Sequence, residues 1–323
     1  MKKTVLFATA FLGLAAAVSP ASAQPYPSKP VRWLVPTGAG SALDVVARRV
    51  APKLGEALGE PVIVENKPGG NSVVAAREAA RAAPDGYTLY QGVINNAIND
   101  VLTPDPCCLL NDKLVPVTRL ISTSLVMVVH PSVPANSVKE YVALAKSRPN
   151  ALTYASGGPG SITEMIGELL KYTTAIQVRE IPYKAIGAEY PDLTGGHVET
   201  AFLAPVVIRD AVAAGKLRAL AVADSQRVNI LPGVPTMAEA GFAGVEGVGW
   251  NGIFVPAGTP APIVQRLHKE IAAILQGKEM KDDSANLGYR LGGESPEEFA
   301  AFVRSEEQKW SKVIKDANIK AVE

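Results

Sequence analysis

Cysteine and histidine are scarce in this chain. Two cysteines sit side by side at Cys107 and Cys108, and three histidines, His130, His197 and His268, lie far apart. Thiolate or imidazole ligands are therefore not clustered as a zinc or iron centre requires, and no metal is expected. H-E-x-x-H, G-x-S-x-G and the glycine-lysine phosphate loop are absent, which removes the common signatures of metalloprotease, α/β-hydrolase and nucleotide-hydrolysing chemistry. Neither a catalytic residue nor a cofactor is predicted. An excess of charge is missing as well. The formal net charge is +1, and no basic stretch with interleaved aromatics marks a nucleic-acid surface. Beyond the first residues, no run approaches the ~20 apolar residues of a membrane span. The cysteine pair follows Pro104 and Pro106. It reads either as two small side chains on a loop or as a vicinal disulfide closing a strained ring.

What is present begins with a leader. Lys2 and Lys3 precede an apolar stretch over 4–18, and Ala21-Ser22-Ala23 is an A-x-A cleavage site. The pattern is that of a secretory signal peptide over 1–23, cleaved after Ala23, so the mature chain is expected to be soluble and periplasmic. The net charge falls from +1 to −1 when the two lysines leave. With 47% hydrophobic residues, the remaining chain has ample material for two domains or one large one.

Apolar runs then alternate with helical patterns. Val31 to Val35 reads as a strand, Asp44 to Leu58 as a helix ended by Gly59, Val62 to Val64 as a strand, Ser72 to Ala82 as an alanine-rich helix, and Thr88 to Tyr90 as a strand. This βαβαβ order predicts a mostly parallel sheet flanked by helices. The run Leu120 to His130 reads as one strand leaving that sheet. A second α/β unit follows over roughly the next hundred residues, judged by the same periodicities. Gly249 to Val255 reads as a strand that returns, and two helices, Ala261 to Gln276 and Pro296 to Ala317, finish the chain. The expected fold class is α/β with two lobes joined by two crossing strands: 24–125 and 231–323 form lobe 1, and 126–230 form lobe 2.

Two loops stand out. Pro36-Thr37-Gly38-Ala39-Gly40-Ser41 and Ser156-Gly157-Gly158-Pro159-Gly160-Ser161 each link a strand to a helix. Small residues there expose backbone N–H groups at the positive end of a helix dipole, which suits a carboxylate or a phosphate. Ligands of open α/β sheets sit beyond the carboxyl ends of the strands, where both loops fall, so one cleft lined by both is expected.

Longer segments carry a resemblance. Tyr26-Pro27-Ser28-Lys29-Pro30, Val62 to Gly70 (VIVENKPGG), Ala83 to Leu89 (APDGYTL) and Tyr154-Ala155-Ser156-Gly157 occur in order. Ile181-Pro182-Tyr183-Lys184, Ala214 to Val222 (AGKLRALAV), Pro232 to Thr236 (PGVPT) and Phe254 to Pro260 (FVPAGTP) complete the set. In order and spacing the chain resembles the Bug-type periplasmic receptors of tripartite tricarboxylate transporters over essentially its whole mature length. The resemblance implies a type II periplasmic binding protein that closes on a small organic anion and docks on membrane permease subunits.

It also singles out departures. Leu43-Asp44 stands where Thr-Asp is usual, Thr37 where an aromatic is common, Glu164 where His is frequent, and Leu203 where many members have Asp. A carboxylate missing at 203 implies an aromatic or aliphatic carboxylate or dicarboxylate as ligand. The expected ligand-binding residues are Thr37, Gly38, Ala39, Gly40, Ser41, Asp44, Asn95, Ser156, Gly157, Gly158, Gly160, Ser161, Thr163, Ala185, Ile186 and Leu203. Asn96 and Lys184 are weaker candidates, and Trp250 reads as hinge packing or as a stacking face. A monomer is expected. Two other readings stay open at this point: a ligand sensor feeding a receptor kinase, and an exported enzyme on the same scaffold.

Overall fold

The computed structural model describes residues 26–103, 110–184 and 187–319. The leader, Cys107 and Cys108, and two of the expected ligand residues, Ala185 and Ile186, lie outside them. The first unit runs β1 (Val31–Val35), α1 (Ala42–Leu58), β2 (Val62–Asn66), α2 (Val73–Ala80), β3 (Thr88–Val93), α3 (Ile94–Leu102) and β4 (Leu114–Ser124). The second runs β5 (Val126–Val129), α4 (Val138–Ser147), β6 (Thr153–Ser156), α5 (Ile162–Thr174), β7 (Arg179–Pro182), α6 (Tyr190–Thr194), β8 (Thr200–Leu203), α7 (Pro205–Ala213) and β9 (Arg218–Val222). The chain then returns as β10 (Val248–Pro256), α8 (Ala261–Leu275), α9 (Lys278–Leu287), β11 (Tyr289–Leu291) and α10 (Pro296–Asp316).

The strands form two sheets, ordered β11-β4-β10-β3-β1-β2 and β7-β6-β8-β5-β9. Both sheets are mixed, which corrects the expectation of mostly parallel pairing. β1 pairs in parallel with β2 and β3, and β6 with β7 and β8. The strands near the crossings, β4, β5 and β10, pair antiparallel with their neighbours. A strand that comes from the other lobe re-enters without a helical crossover, so it is not bound to parallel pairing.

Three local expectations also change. The single strand expected over Leu120 to His130 starts earlier and splits at Leu125 into β4 and β5, one in each sheet. Asn95 and Asn96, expected to end the strand that Thr88 opens, lie instead in the first turn of α3. Its asparagine-rich sequence gives little propensity signal for a helix. Between α8 and α10 a further helix and strand appear. α9 buries only Met280, so it shows no apolar period.

One apolar cluster runs across both sheets. It joins Tyr90, Trp250, Phe254, Phe299 and Trp310 to Met127, Tyr154, Ile162, Ile166 and Phe202. Trp250 is 2% exposed and meets Phe299 and Phe302 edge-on, so packing is its role. Full burial of side chains this size stabilises by about 1.5–3 kcal/mol each. Separate clusters back the outer part of each sheet.

The two crossings lie side by side. Ala223 N donates to Leu125 O at 2.8 Å, and Gly247 N donates to Ala223 O at 2.9 Å. Beside them, the buried Asp224 carboxylate accepts from Ser124 Oγ at the end of β4 and pairs with Arg290 of β11 at 2.7 Å.

Candidate functional site

The two glycine loops are built alike. In loop 1, Gly40 N donates to Asp44 Oδ2 at 2.9 Å, Asp44 N donates to Ser41 Oγ at 3.3 Å, and Ser41 N donates to Gly38 O at 3.3 Å. In loop 2, Gly160 N donates to Glu164 Oε2 at 2.7 Å, Glu164 N to Ser161 Oγ at 3.2 Å, and Ser161 N to Gly158 O at 3.1 Å. Each serine caps its helix, and each carboxylate four residues past the glycine reaches back over the first turn. Gly40 and Gly160 hold φ of 81° and 72°, the left-handed region that glycine enters without steric cost.

The surroundings of the two carboxyls differ. Asp44 is 2% exposed and takes further bonds from Arg48 Nε at 2.9 Å and Asn66 Nδ2 at 2.8 Å. The Arg48 contact is the main reason its carboxyl titrates at about 2, below the ordinary 3.8. It serves as the clamp of loop 1. Glu164 has no such cation. Burial, then Glu180, then Glu168 push its carboxyl up to about 7, against the Gly160 N–H that pulls it down. Glu180 in turn accepts from Ser156 Oγ.

Donor supply differs too. In loop 1 the N–H groups of Gly38, Ala39, Ala42 and Leu43 have no acceptor among the described residues, and Gly38, Ala39 and Ala42 are exposed. Loop 2 is buried apart from Gly157 and Pro159, and of its donors only the N–H of the buried Thr163 lacks an acceptor among the described residues. Gly157 N goes to Thr163 Oγ1 at 2.8 Å, Gly158 N to Ser156 Oγ at 3.0 Å, and Ile162 N to Asn95 Oδ1 at 3.3 Å. Pro159 has no N–H to offer. The expectation of two equivalent backbone nests therefore gives way to one open nest and one filled one.

Asparagines of lobe 1 reach loop 2. Asn95 bonds Ile162 N in lobe 2 and donates to Asn71 Oδ1 at 2.7 Å, while Asn71 Nδ2 donates to Pro159 O at 3.1 Å. Asn99 packs so closely on Gly160 that a Cβ there would stand 2.3 Å from its Oδ1. Asn71 follows the carboxyl end of β2 with φ of 48°. Neither it nor Asn99 was among the expected site residues. Pro68-Gly69-Gly70-Asn71 is a turn signature at a parallel strand's end, and that signal points to Asn71 in retrospect. Asn99, on the second turn of a helix, carries no such mark.

Among the remaining expected residues, Thr37 Oγ1 and Ser41 Oγ lie 2.6 Å apart and stay half-buried. Leu203 is 1% exposed inside the apolar cluster behind the lobe 2 sheet, so its side chain belongs to the core. Asn96 is fully buried and accepts from Tyr90 Oη and Val93 N. Lys184 is exposed. An open depression lined by Val101, Glu307, Ser311 and Lys312 lies at the far end of α3 from Asn95 and includes neither loop.

Known proteins share this plan. The family profile described as "Tripartite tricarboxylate transporter family receptor" matches residues 46–319. Protein BugT of Bordetella pertussis is 33% identical over 312 residues, covering 96% of each chain. Among solved structures, the R. palustris protein with adipate is 30% identical with a TM-score of 0.83, over 92% of this chain and all of that one. MatC from Rhodopseudomonas palustris with bound malate is 28% identical with a TM-score of 0.79, over 90% of this chain and all of that one. The periplasmic binding protein BugD gives 29% and 0.80, over 91% and 99%. Two lobes, paired strand-end loops and full-length similarity agree: the chain belongs to the tripartite tricarboxylate transporter receptor family.

Proposed function

We propose that the protein is a periplasmic receptor that holds a small organic carboxylate between its lobes and delivers it, as a monomer, to the permease subunits of a tripartite tricarboxylate-type transporter. The observation that carries this reading is the row of N–H groups at Gly38, Ala39, Ala42 and Leu43 without an acceptor among the described residues, the first three on exposed residues. It sits at the N-terminus of α1, where the helix dipole adds to the attraction for an anion. Asp44, already neutralised by Arg48, holds the loop open without opposing the ligand. Adipate and malate in the relatives' structures support carboxylates of four to six carbons as the class. Closure would follow from the ligand's preference for the form in which both lobes touch it.

A thermal-shift screen of organic acids tests this. An acid present at 100 times its Kd stabilises the folded protein by about 2.7 kcal/mol. A shift with adipate, malate or a related acid is expected. Stabilisation by sugars or amines alone would sink the reading.

A further inference from the structure

The two jaws are chemically unequal. Loop 1 offers donors to an anion, whereas loop 2 offers none among Gly157, Gly158, Gly160 and Ile162, whose N–H groups are all taken. What loop 2 holds instead is a carboxyl group. Glu164 is 8% exposed. Its Oε2 is tied to Gly160 N, while Oε1 has no hydrogen-bond partner among the described residues and is not sealed from solvent. Oε1 is thus an open acceptor on a side chain otherwise more than nine-tenths buried, beside loop 2, and can take a donor from a ligand.

We propose that Glu164 sets the specificity of lobe 2, taking a hydrogen bond from an uncharged donor at the far end of the ligand, so that the preferred ligand is a small acid with one carboxylate on loop 1 and one protonated end on Glu164. The inference rests on the carboxylate reading above and narrows it. A dicarboxylate would bind with one proton, shared between its distal carboxyl and Glu164. Two ionised carboxylates at hydrogen-bond distance repel, and a pair of this kind retains one proton.

The groups around Glu164 offer the pair one cation, Lys171, and that cation is already engaged. β7 brings Glu180, and α5 itself brings Glu168 and Lys171, with Lys171 held by Glu168 at 2.7 Å. β6 brings Tyr154, whose hydroxyl donates to Glu168, and Ser156, which donates to Glu180. α3 presents the neutral Asn95 and Asn99. α10 also packs on α5, where its Lys312 faces Tyr172. Titration of the Glu164 carboxyl near 7 agrees with this arrangement.

Isothermal titration of adipate and of its monoamide, against the full mature protein and Glu164→Gln at pH 6 and pH 8, tests the proposal. For the unaltered protein, adipate affinity should fall about tenfold from pH 6 to pH 8, following the protonated fraction of a carboxyl titrating near 7. The monoamide, which carries its own donor, should change less than about threefold by the same reasoning. With Glu164→Gln the adipate profile should flatten. Repeating the pH 8 titration in buffers of different ionisation heat should show uptake of nearly one proton per adipate, a readout that does not depend on the variant folding. Adipate binding that is flat with pH and takes up no proton overturns the role of Glu164, as does an equal fall in both proteins, and either result leaves the carboxylate reading standing. Failure of every acid to bind at either pH overturns the carboxylate reading itself, and this inference with it.

Discussion

Asp44 and Glu164 hold equivalent places in two similar loops and titrate in opposite directions. Asp44 is depressed to about 2, so its contribution to stability is present above the unfolded value of 3.8 and is lost as pH falls through 2. Asp44→Asn should therefore lower Tm at pH 7, and the gap to the parent should close below about pH 3 in circular-dichroism melts. Glu307 behaves the other way. Burial, then Asp100 and Asp112, raise its carboxyl to about 7, so stability present below its ordinary 4.5 is lost as pH rises through 7. Glu307→Gln should melt above the parent at pH 8 and level with it near pH 4. A parent that melts equally at both pH values, with no gain in the variant, would count against the burial of this carboxyl.

The elements carry the symmetry that single residues conceal. Ser41 and Ser161 cap α1 and α5 through bonds of the same kind, and loss of such a cap costs about 1 kcal/mol. Ser41→Ala and Ser161→Ala should each lower stability by about that amount in urea titrations, and the double variant should show the sum, because the two sites share no partner. Gly160→Ala is a harsher change. It places a side chain at φ 72° and drives it into Asn99, so weaker ligand binding is expected along with a loss of about 1–2 kcal/mol from the left-handed backbone alone.

Much of this level was legible beforehand. Ser41 and Ser161, each after a left-handed glycine and before an apolar helix, announce both caps, and period-2 and period-3.6 patterns announce β1, α1, β6 and α5. The filling of loop 2 was not legible. The N–H groups of Gly157, Gly158 and Gly160 are taken by side chains only two to six residues away, a fold of the loop that small-residue composition does not announce, and Ile162 N is taken by Asn95 from the other lobe, 67 positions away, which no local pattern encodes. α9 and β11 were hidden for a different reason, since a helix with one buried residue has no period to find.

At the scale of the molecule, the Ser124–Asp224–Arg290 contact joins both crossings to the edge of the lobe 1 sheet. Burial raises the Asp224 carboxyl, but Ser124 and Arg290 outweigh it and hold the group ionised. Arg290→Ala leaves that charge without its cation. A fully buried pair broken this way loses about 3–5 kcal/mol. Arg290 is 44% exposed, and solvent screening reduces the expected loss to about 1–2 kcal/mol. Scattering profiles without ligand should also broaden, because the contact restrains the region about which the lobes turn. A profile and Tm identical to the parent would remove this contact from the hinge.

The apolar cluster that crosses from Trp250, Phe254 and Phe299 to Ile162, Ile166 and Phe202 bears on how such receptors can be recombined. Gly247 marks the seam: a Cβ there would lie 2.3 Å from Ile166 Cγ1. A lobe 2 transplanted from a relative brings its own residues to that seam, and interiors packed like crystals tolerate few mismatches. Chimeras cut at the crossing strands should thus express poorly unless α5 travels with the β10 and α10 residues that it meets. Specificity in this family would then be exchanged by altering loop residues such as Glu164 in place, not by swapping halves.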